Sequence, residues 1–270
     1  MNPLGEYRGQ VALVTGAARG IGRTIAQRLA EEGARVLIAD LNRDAGEATV
    51  RAFREAGLSA DFLLVDLAVP GSAAALIEST IALAGNVHVL VNNARAGKRL
   101  ALLDETEENW DLAVDVGAKA AFFLAQAVIR QMSAREGCRI VNIASVAGVL
   151  ATNESGSYHA AKASLLQLTR YLAVAGGPLR ARVNAVLPGM IVQEEHRSRF
   201  ESEGNVAFRN TVNAYQPMGE VGSETDVAEA VLYLCSSRSR YVSGTCLVLD
   251  GGATVQEPLG LMLRRPAAGT

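Results

Sequence analysis

The feature that most constrains this chain is an alternation. Short apolar runs recur along it: VALVTG (11–16), RVLIAD (35–40), DFLLVD (61–66), VHVLVN (87–92), CRIVNIAS (138–145), RVNAVLPG (182–189) and TCLVLDGG (245–252). They are β-branched or leucine-rich and lack polar alternation, the pattern of strands covered on both faces. Most intervening stretches place apolar residues at helical spacing and stop at glycine, as in IGRTIAQRLAEEG (21–33). Repeated strand–helix–strand units predict an α/β fold, a doubly wound parallel sheet of about seven strands with helices on both faces. The loops after the strand C-termini then hold the ligand site.

No Pro/Gly/Ser-rich linker interrupts the alternation before about residue 253, so residues 1–252 read as one domain and 253–270 as a tail. Segment 190–216 has mixed charge and no strand, and reads as a mobile loop-and-helix insertion over the substrate. The end of the tail, EPLGLMLRRPAAGT, is expected to be disordered or to dock on a neighbouring subunit. A net charge of −2 carries no nucleic-acid footprint. The three cysteines, Cys138, Cys235 and Cys246, are odd in number and lack metal-ligand spacing, as expected of a reduced chain. With no apolar signal core at MNPLGEYRGQ and no uninterrupted apolar run of about 18 residues, a cytoplasmic protein free of membrane and metal is expected.

The segment TGAARGIG (15–22) follows the first predicted strand and opens a helix. Gly16, Gly20 and Gly22 suit a tight turn, close backbone approach to a pyrophosphate and close helix–strand packing. Asp40, 18 residues beyond Gly22, ends the second run, where a carboxylate accepts ribose hydroxyls and repels a 2′-phosphate. Arg19 and Arg43 pull the other way, since an arginine there meets a 2′-phosphate. The balance favours NAD, with NADP as the alternative. Asp66 ends the third run and suits an adenine amino group or a plain strand-end cap.

At the chemical end, GSYHAAKASL (156–165) puts Tyr158 and Lys162 four residues apart on one helix face. A free phenol has a pKa of about 10, and a neighbouring ammonium favours the phenolate. Six tyrosines and three lysines produce that spacing by chance in about 0.07 of such chains, so a merely solvated pair explains it poorly. Ser145, 13 residues before Tyr158, ends the run RIVNIAS, where its hydroxyl can steady a substrate oxygen.

TGAARGIG, NNA, Ser145 with YHAAK, RVNAVLPG and LVLDGG together resemble the single-domain short-chain dehydrogenase/reductase family, from about Val11 to Gly252. The resemblance implies hydride transfer between nicotinamide and an alcohol or carbonyl carbon, in homodimers or homotetramers. It makes Tyr158 the proton donor or acceptor, Ser145 the group that orients the substrate oxygen, and Lys162 the group that lowers the tyrosine pKa and grips a ribose. It implies cofactor contacts at Gly16, Arg19, Gly20, Ile21, Gly22, Asp40, Asp66, Leu67, Asn92, Ala94, Pro188, Gly189 and Ile191, besides Tyr158 and Lys162. Met190 lies in the same turn and is expected to face substrate.

Three positions depart from the family. Arg95 stands where N-N-A-G is usual, Gly117 replaces a helix-kink asparagine, and Gln193 replaces a threonine that commonly touches the cofactor. Gly117 keeps a carbonyl for a proton relay but loses the side chain, consistent with a working, slower enzyme. Arg95, with Lys98 and Arg99 close by, reads either as a solvated loop charge or as a hold on an anionic substrate. His159 reads as structural, and Asn153, Glu154 and Ser155 as either substrate contacts or plain loop. The leading reading is an NAD(P)-dependent oxidoreductase of a secondary alcohol or ketone. Its rivals are a cofactor-binding protein with little turnover and a specialised dehydratase or epimerase.

Overall fold

The structure is a computed structural model that describes residues 5–132 and 137–257. Seven parallel strands form one sheet, in the order β3-β2-β1-β4-β5-β6-β7. They are β1 (Val11–Thr15), β2 (Arg35–Asp40), β3 (Ala60–Leu64), β4 (Val89–Asn92), β5 (Arg139–Ile143), β6 (Arg182–Pro188) and β7 (Cys246–Leu249). All seven expected strands are present, several a residue or two shorter. β3 stops at Leu64, so Asp66 sits in the turn beyond it, its Oδ1 accepting from the Ala68 amide at 2.9 Å.

The unbroken apolar runs follow from burial on both faces. Along β1, Ala12 and Val14 join one core with Ile25 and Leu29 of α1 (Gly20–Glu31) and Val227 and Val231 of α9 (Glu224–Cys235). The alternating Val11 and Leu13 join another with Leu76 and Ile77 of α3 (Ser72–Ala84), Leu124 and Val128 of α5 (Ala120–Gln131) and Leu172 of α6 (Gly156–Gly176). Each fully buried leucine or isoleucine contributes about 1.5–3 kcal/mol before the entropy cost. α2 (Arg43–Glu55) covers the β2–β3 end.

α4 (Glu107–Val114) runs into a π-helical turn at Asp115–Lys119 and then α5. That continuous helix is long and apolar enough by composition to cross a membrane, yet 56% of its most apolar stretch is buried in the fold, where Leu124, Ala125 and Val128 join the core. The π-turn encloses Gly117, so the kink forms without the asparagine. Segment 190–216 carries α7 (Glu194–Glu201) and α8 (Val206–Tyr215), as its mixed pattern implied. Of the tail, residues 258–270 lie outside the described residues.

The chain reverses direction across the sheet between β1 and β4, which lie side by side. In open α/β sheets that switch point opens a crevice at the strand C-termini. Here it is bordered by Thr15–Gly16 and by Asn92–Ala94.

Candidate active site

The turn after β1 is held open by glycine. Gly16 adopts φ +63°, and a Cβ there would stand 2.8 Å from the Ala94 Cα. At Gly22 a Cβ would run into the Gly16 carbonyl oxygen and the Asn93 amide. No side chain larger than hydrogen fits this close packing of turn, helix and β4. α1 then begins without a side-chain cap and without an acid in its first turn. Its free N–H groups and the positive end of its dipole suit an anion. The loop, from Gly16 through Arg19, Gly20, Ile21 and Gly22, therefore fits the diphosphate of the dinucleotide that the resemblance implies.

Two residues outside the expected set lock this turn. Thr15 Oγ1 accepts from the Asn93 and Ala94 amides at 3.1 and 3.2 Å, and Asn93 Nδ2 donates to the carbonyls of Thr15 and Gly16 at 3.0 and 2.9 Å. The doubled amide of NNA was the available signal. The neighbouring Asn92 turns inward: 5% exposed, its Nδ2 donates to Asn142 Oδ1 and the Ala121 carbonyl, while its Oδ1 has no hydrogen-bond partner. Asn142 passes the chain on to Thr169 of α6 at 2.8 Å. The Asn92 side chain thus ties β4, β5 and α6 together beneath the crevice.

Asp40 ends β2 and its two oxygens accept from the Ala18 and Asn42 amides at 3.0 and 2.9 Å. It shares a cleft of about 600 Å³ with Ala18, Arg19, Arg43 and Arg95. Asp66 and Leu67 lie beyond β3, Asp66 beside a second cleft of about 300 Å³.

At the other end, Ser145 closes β5's exit, its Oγ accepting from the Ala147 amide at 3.1 Å, and its hydroxyl is close enough to Tyr158 to favour the phenolate. Tyr158 and Lys162 stand on one face of α6, with the Lys162 Nζ 5.6 Å from the tyrosine ring centroid. Lys162 is 3% exposed and donates to the Ile143 carbonyl at 2.7 Å. Burial, helped by the charge of Arg95, lowers its pKa to about 8. Burial raises the Tyr158 phenol, against the Ser145 hydrogen bond and the Arg95 charge that pull it down, with Glu154 adding to the rise. Burial thus opposes the downward pull that the neighbouring ammonium and the nicotinamide ring were expected to exert on the phenol. The Lys162 ammonium donates to the Ile143 carbonyl and not to the phenol oxygen, with its Nζ 5.6 Å from the ring centroid.

The start of α6 is tightly placed. Ser155 Oγ accepts from the Tyr158 amide at 3.3 Å, and Glu105 Oε2 accepts from Ser157 N and Oγ at 3.1 and 3.0 Å. Asn109 links Glu105 to the backbone of Lys98. His159 accepts from the Thr152 amide at 2.9 Å through Nε2 and donates to the Ser155 carbonyl through Nδ1, a bracing role. Arg99 reaches across to the Asn153 carbonyl and to Glu154.

Pro188 ends β6, the Gly189 amide donates to the Leu249 carbonyl at 2.9 Å, and Met190 and Ile191 lie against Gly222 through a short bridge. Met190 is partly exposed on this turn. Gln193 sits against Gly20, where its Oε1 would meet any added Cβ. No cluster of metal ligands occurs among the described residues.

Residues 16–254 match a family model described as enoyl-(acyl carrier protein) reductase. The chain is 36% identical to cis-4-hydroxycyclohexanecarboxylate dehydrogenase of Sinomonas cyclohexanicum, over 93% of this chain and 99% of that one. It is 32% identical to 3-oxoacyl-(acyl carrier protein) reductase of Escherichia coli K12, over 92% and 98%. The solved gluconate 5-dehydrogenase of Burkholderia cenocepacia, in complex with NADP and tartrate, superposes with a TM-score of 0.84 at 33% identity, covering 94% of this chain and 99% of that one. Sheet order, glycine loop and relatives agree: the chain belongs to the short-chain dehydrogenase/reductase family of oxidoreductases.

Proposed function

We propose that this oxidoreductase interconverts a small secondary alcohol and its ketone, with Tyr158 as the acid–base. What carries the reading is the grouping of Ser145, Tyr158 and Lys162 at the strand C-termini, beside the glycine loop. When bound, the nicotinamide dinucleotide supplies the hydride acceptor or donor. In the reducing direction the Tyr158 hydroxyl gives its proton to the substrate oxygen, and in the oxidising direction the phenolate takes it back. Ser145 Oγ holds the same oxygen and stabilises charge that develops on it. Lys162 supplies positive charge beneath the phenol ring and a route for proton exchange toward the Ile143–Gly117 region. The Met190 turn, with helices α7 and α8 after it, is proposed to shield this chemistry from water.

NAD is the proposed preferred cofactor, supported by Asp40 at the end of β2; the arginines of the same cleft support NADP as the alternative. A cytoplasmic homodimer or homotetramer is proposed as its form. Support for association comes from α5 and α6, where Phe123, Tyr171 and Val174 are 45%, 57% and 80% exposed on neighbouring helices.

The test is nicotinamide absorbance at 340 nm for wild type and Tyr158→Phe, with NADH or NADPH against neutral and acidic ketones. Turnover in wild type and a loss of at least ~100-fold in Tyr158→Phe are expected. Equal turnover in both proteins would remove Tyr158 from the chemistry. Cofactor binding without turnover on the whole panel would favour the non-catalytic or specialised reading.

A further inference from the structure

The residue after Asn92-Asn93-Ala94 is Arg95, and its neighbours fix where it stands. Ala94 packs directly on Gly16, and its amide is held by Thr15 Oγ1 at 3.2 Å. Arg95 therefore follows directly on the residue that packs against the glycine loop, whose helix α1 starts uncapped. Its side chain lines the cleft of Ala18, Arg19 and Asp40, which is the ribose end. Its charge is also felt by Tyr158 and Lys162, which is the reaction end. A side chain that borders both ends crosses the middle, and the middle of a dinucleotide is its diphosphate.

We propose that Arg95 binds a phosphate of the dinucleotide, closing over it from the β4 side opposite the α1 N-terminus; this rests on the dinucleotide reading of the site. A guanidinium offers a flat pair of N–H donors matched to two phosphate oxygens. Among the described residues no carboxylate forms an ion pair with Arg95 or Arg19, whereas Arg43 pairs with Glu47 at 3.4 Å. Asp40, the carboxylate of the same cleft, has both oxygens taken by backbone amides. Of the loop's two other cations, Lys98 and Arg99, Arg99 turns away from this cleft to the Asn153 carbonyl and Glu154. Neutralising Arg95 also removes a positive charge that disfavours the ammonium of Lys162, so cofactor arrival and Lys162 charging reinforce each other.

The phosphate could be the diphosphate or a 2′-phosphate, and the test separates them. NADH and NADPH are titrated by fluorescence, with ADP and adenosine as competitors, into wild type, Arg95→Gln and Arg95→Gly. Expected is a rise in Kd of about 10- to 100-fold for NADH, NADPH and ADP in both variants, with adenosine unchanged. A much larger rise for NADPH than for NADH would assign Arg95 to the 2′-phosphate. At saturating cofactor the ratio of KM for an acidic to a neutral ketone is expected to stay at its wild-type value. Unchanged Kd values, or a change confined to that KM ratio, overturn the proposal. Wild type that binds neither NADH nor NADPH would instead remove the dinucleotide reading itself.

Discussion

Lys162 is held in an unfavourable place. The residue is 3% exposed, and its ammonium donates one hydrogen bond to the Ile143 carbonyl and shares the field of Arg95. Its pKa falls from 10.5 to about 8, a shift worth about 3 kcal/mol. The sign follows from proton counting. Between pH 8 and 10.5 the unfolded chain keeps a proton that the folded chain releases, so stability rises with pH through that window. Below pH 8 the penalty is present in full. Lys162→Met is therefore expected to be more stable than wild type at pH 7. The gain is about 2 kcal/mol once the hydrogen bond left open on Ile143 is subtracted. The advantage shrinks as pH approaches 10. Denaturant unfolding at pH 7 and 9.5 measures it; a variant less stable than wild type at both would refute it. Its turnover is expected to collapse, the usual exchange of stability for function.

Among elements, the junction of β1 with the turn after β4 holds the glycine turn in place. Thr15 Oγ1 accepts two amides and faces the Val91 carbonyl, all 1% exposed at the threonine. Thr15→Val keeps the shape and strands those two amides without a partner. Each unsatisfied buried amide costs about 1–3 kcal/mol, and because these two are only part-buried a loss of about 2 kcal/mol is expected. NADH binding should weaken with it, because the glycine turn is no longer pinned. Thermal melting and an NADH titration check both; unchanged melting would mean that the turn is held by packing alone. The π-turn at Asp115–Lys119 shows the converse. Its kink persists with Gly117, and an asparagine there would set a Cβ 3.2 Å from the Ala161 Cβ, next to Lys162. Glycine relieves a tight approach to α6 while leaving the backbone bend in place.

At the scale of the molecule, both faces of the sheet are covered by helices, while the outer surface of α5 and α6 exposes an apolar cluster among polar residues. Phe122 lies 6.4 Å from Tyr171 across the two helices, and Phe123 and Val174 extend the patch toward solvent. A cluster of that kind fits self-association, with the same patch meeting its copy. Wild type is expected to elute from a sizing column as a dimer or tetramer, and Phe123→Asp with Val174→Asp as a smaller species with its sheet intact by circular dichroism. A wild type that elutes as a monomer at micromolar concentration removes this surface from consideration.

The sequence by itself determined what depends on neighbours along the chain. The seven apolar runs, the glycine spacing at 16, 20 and 22, and the four-residue step from Tyr158 to Lys162 are local patterns, and strand and helix periodicity translate them directly into structure. Packing decided the rest. Thr15 and Asn93 meet across 78 residues, Glu105 caps the start of α6 from 52 residues away, and Asn92 turns inward because Asn142 lies beside it on β5. The proton affinities of Tyr158 and Lys162 were least legible of all. Spacing sets which groups meet, but desolvation sets which charges survive the meeting, and only the folded chain fixes how much water reaches them.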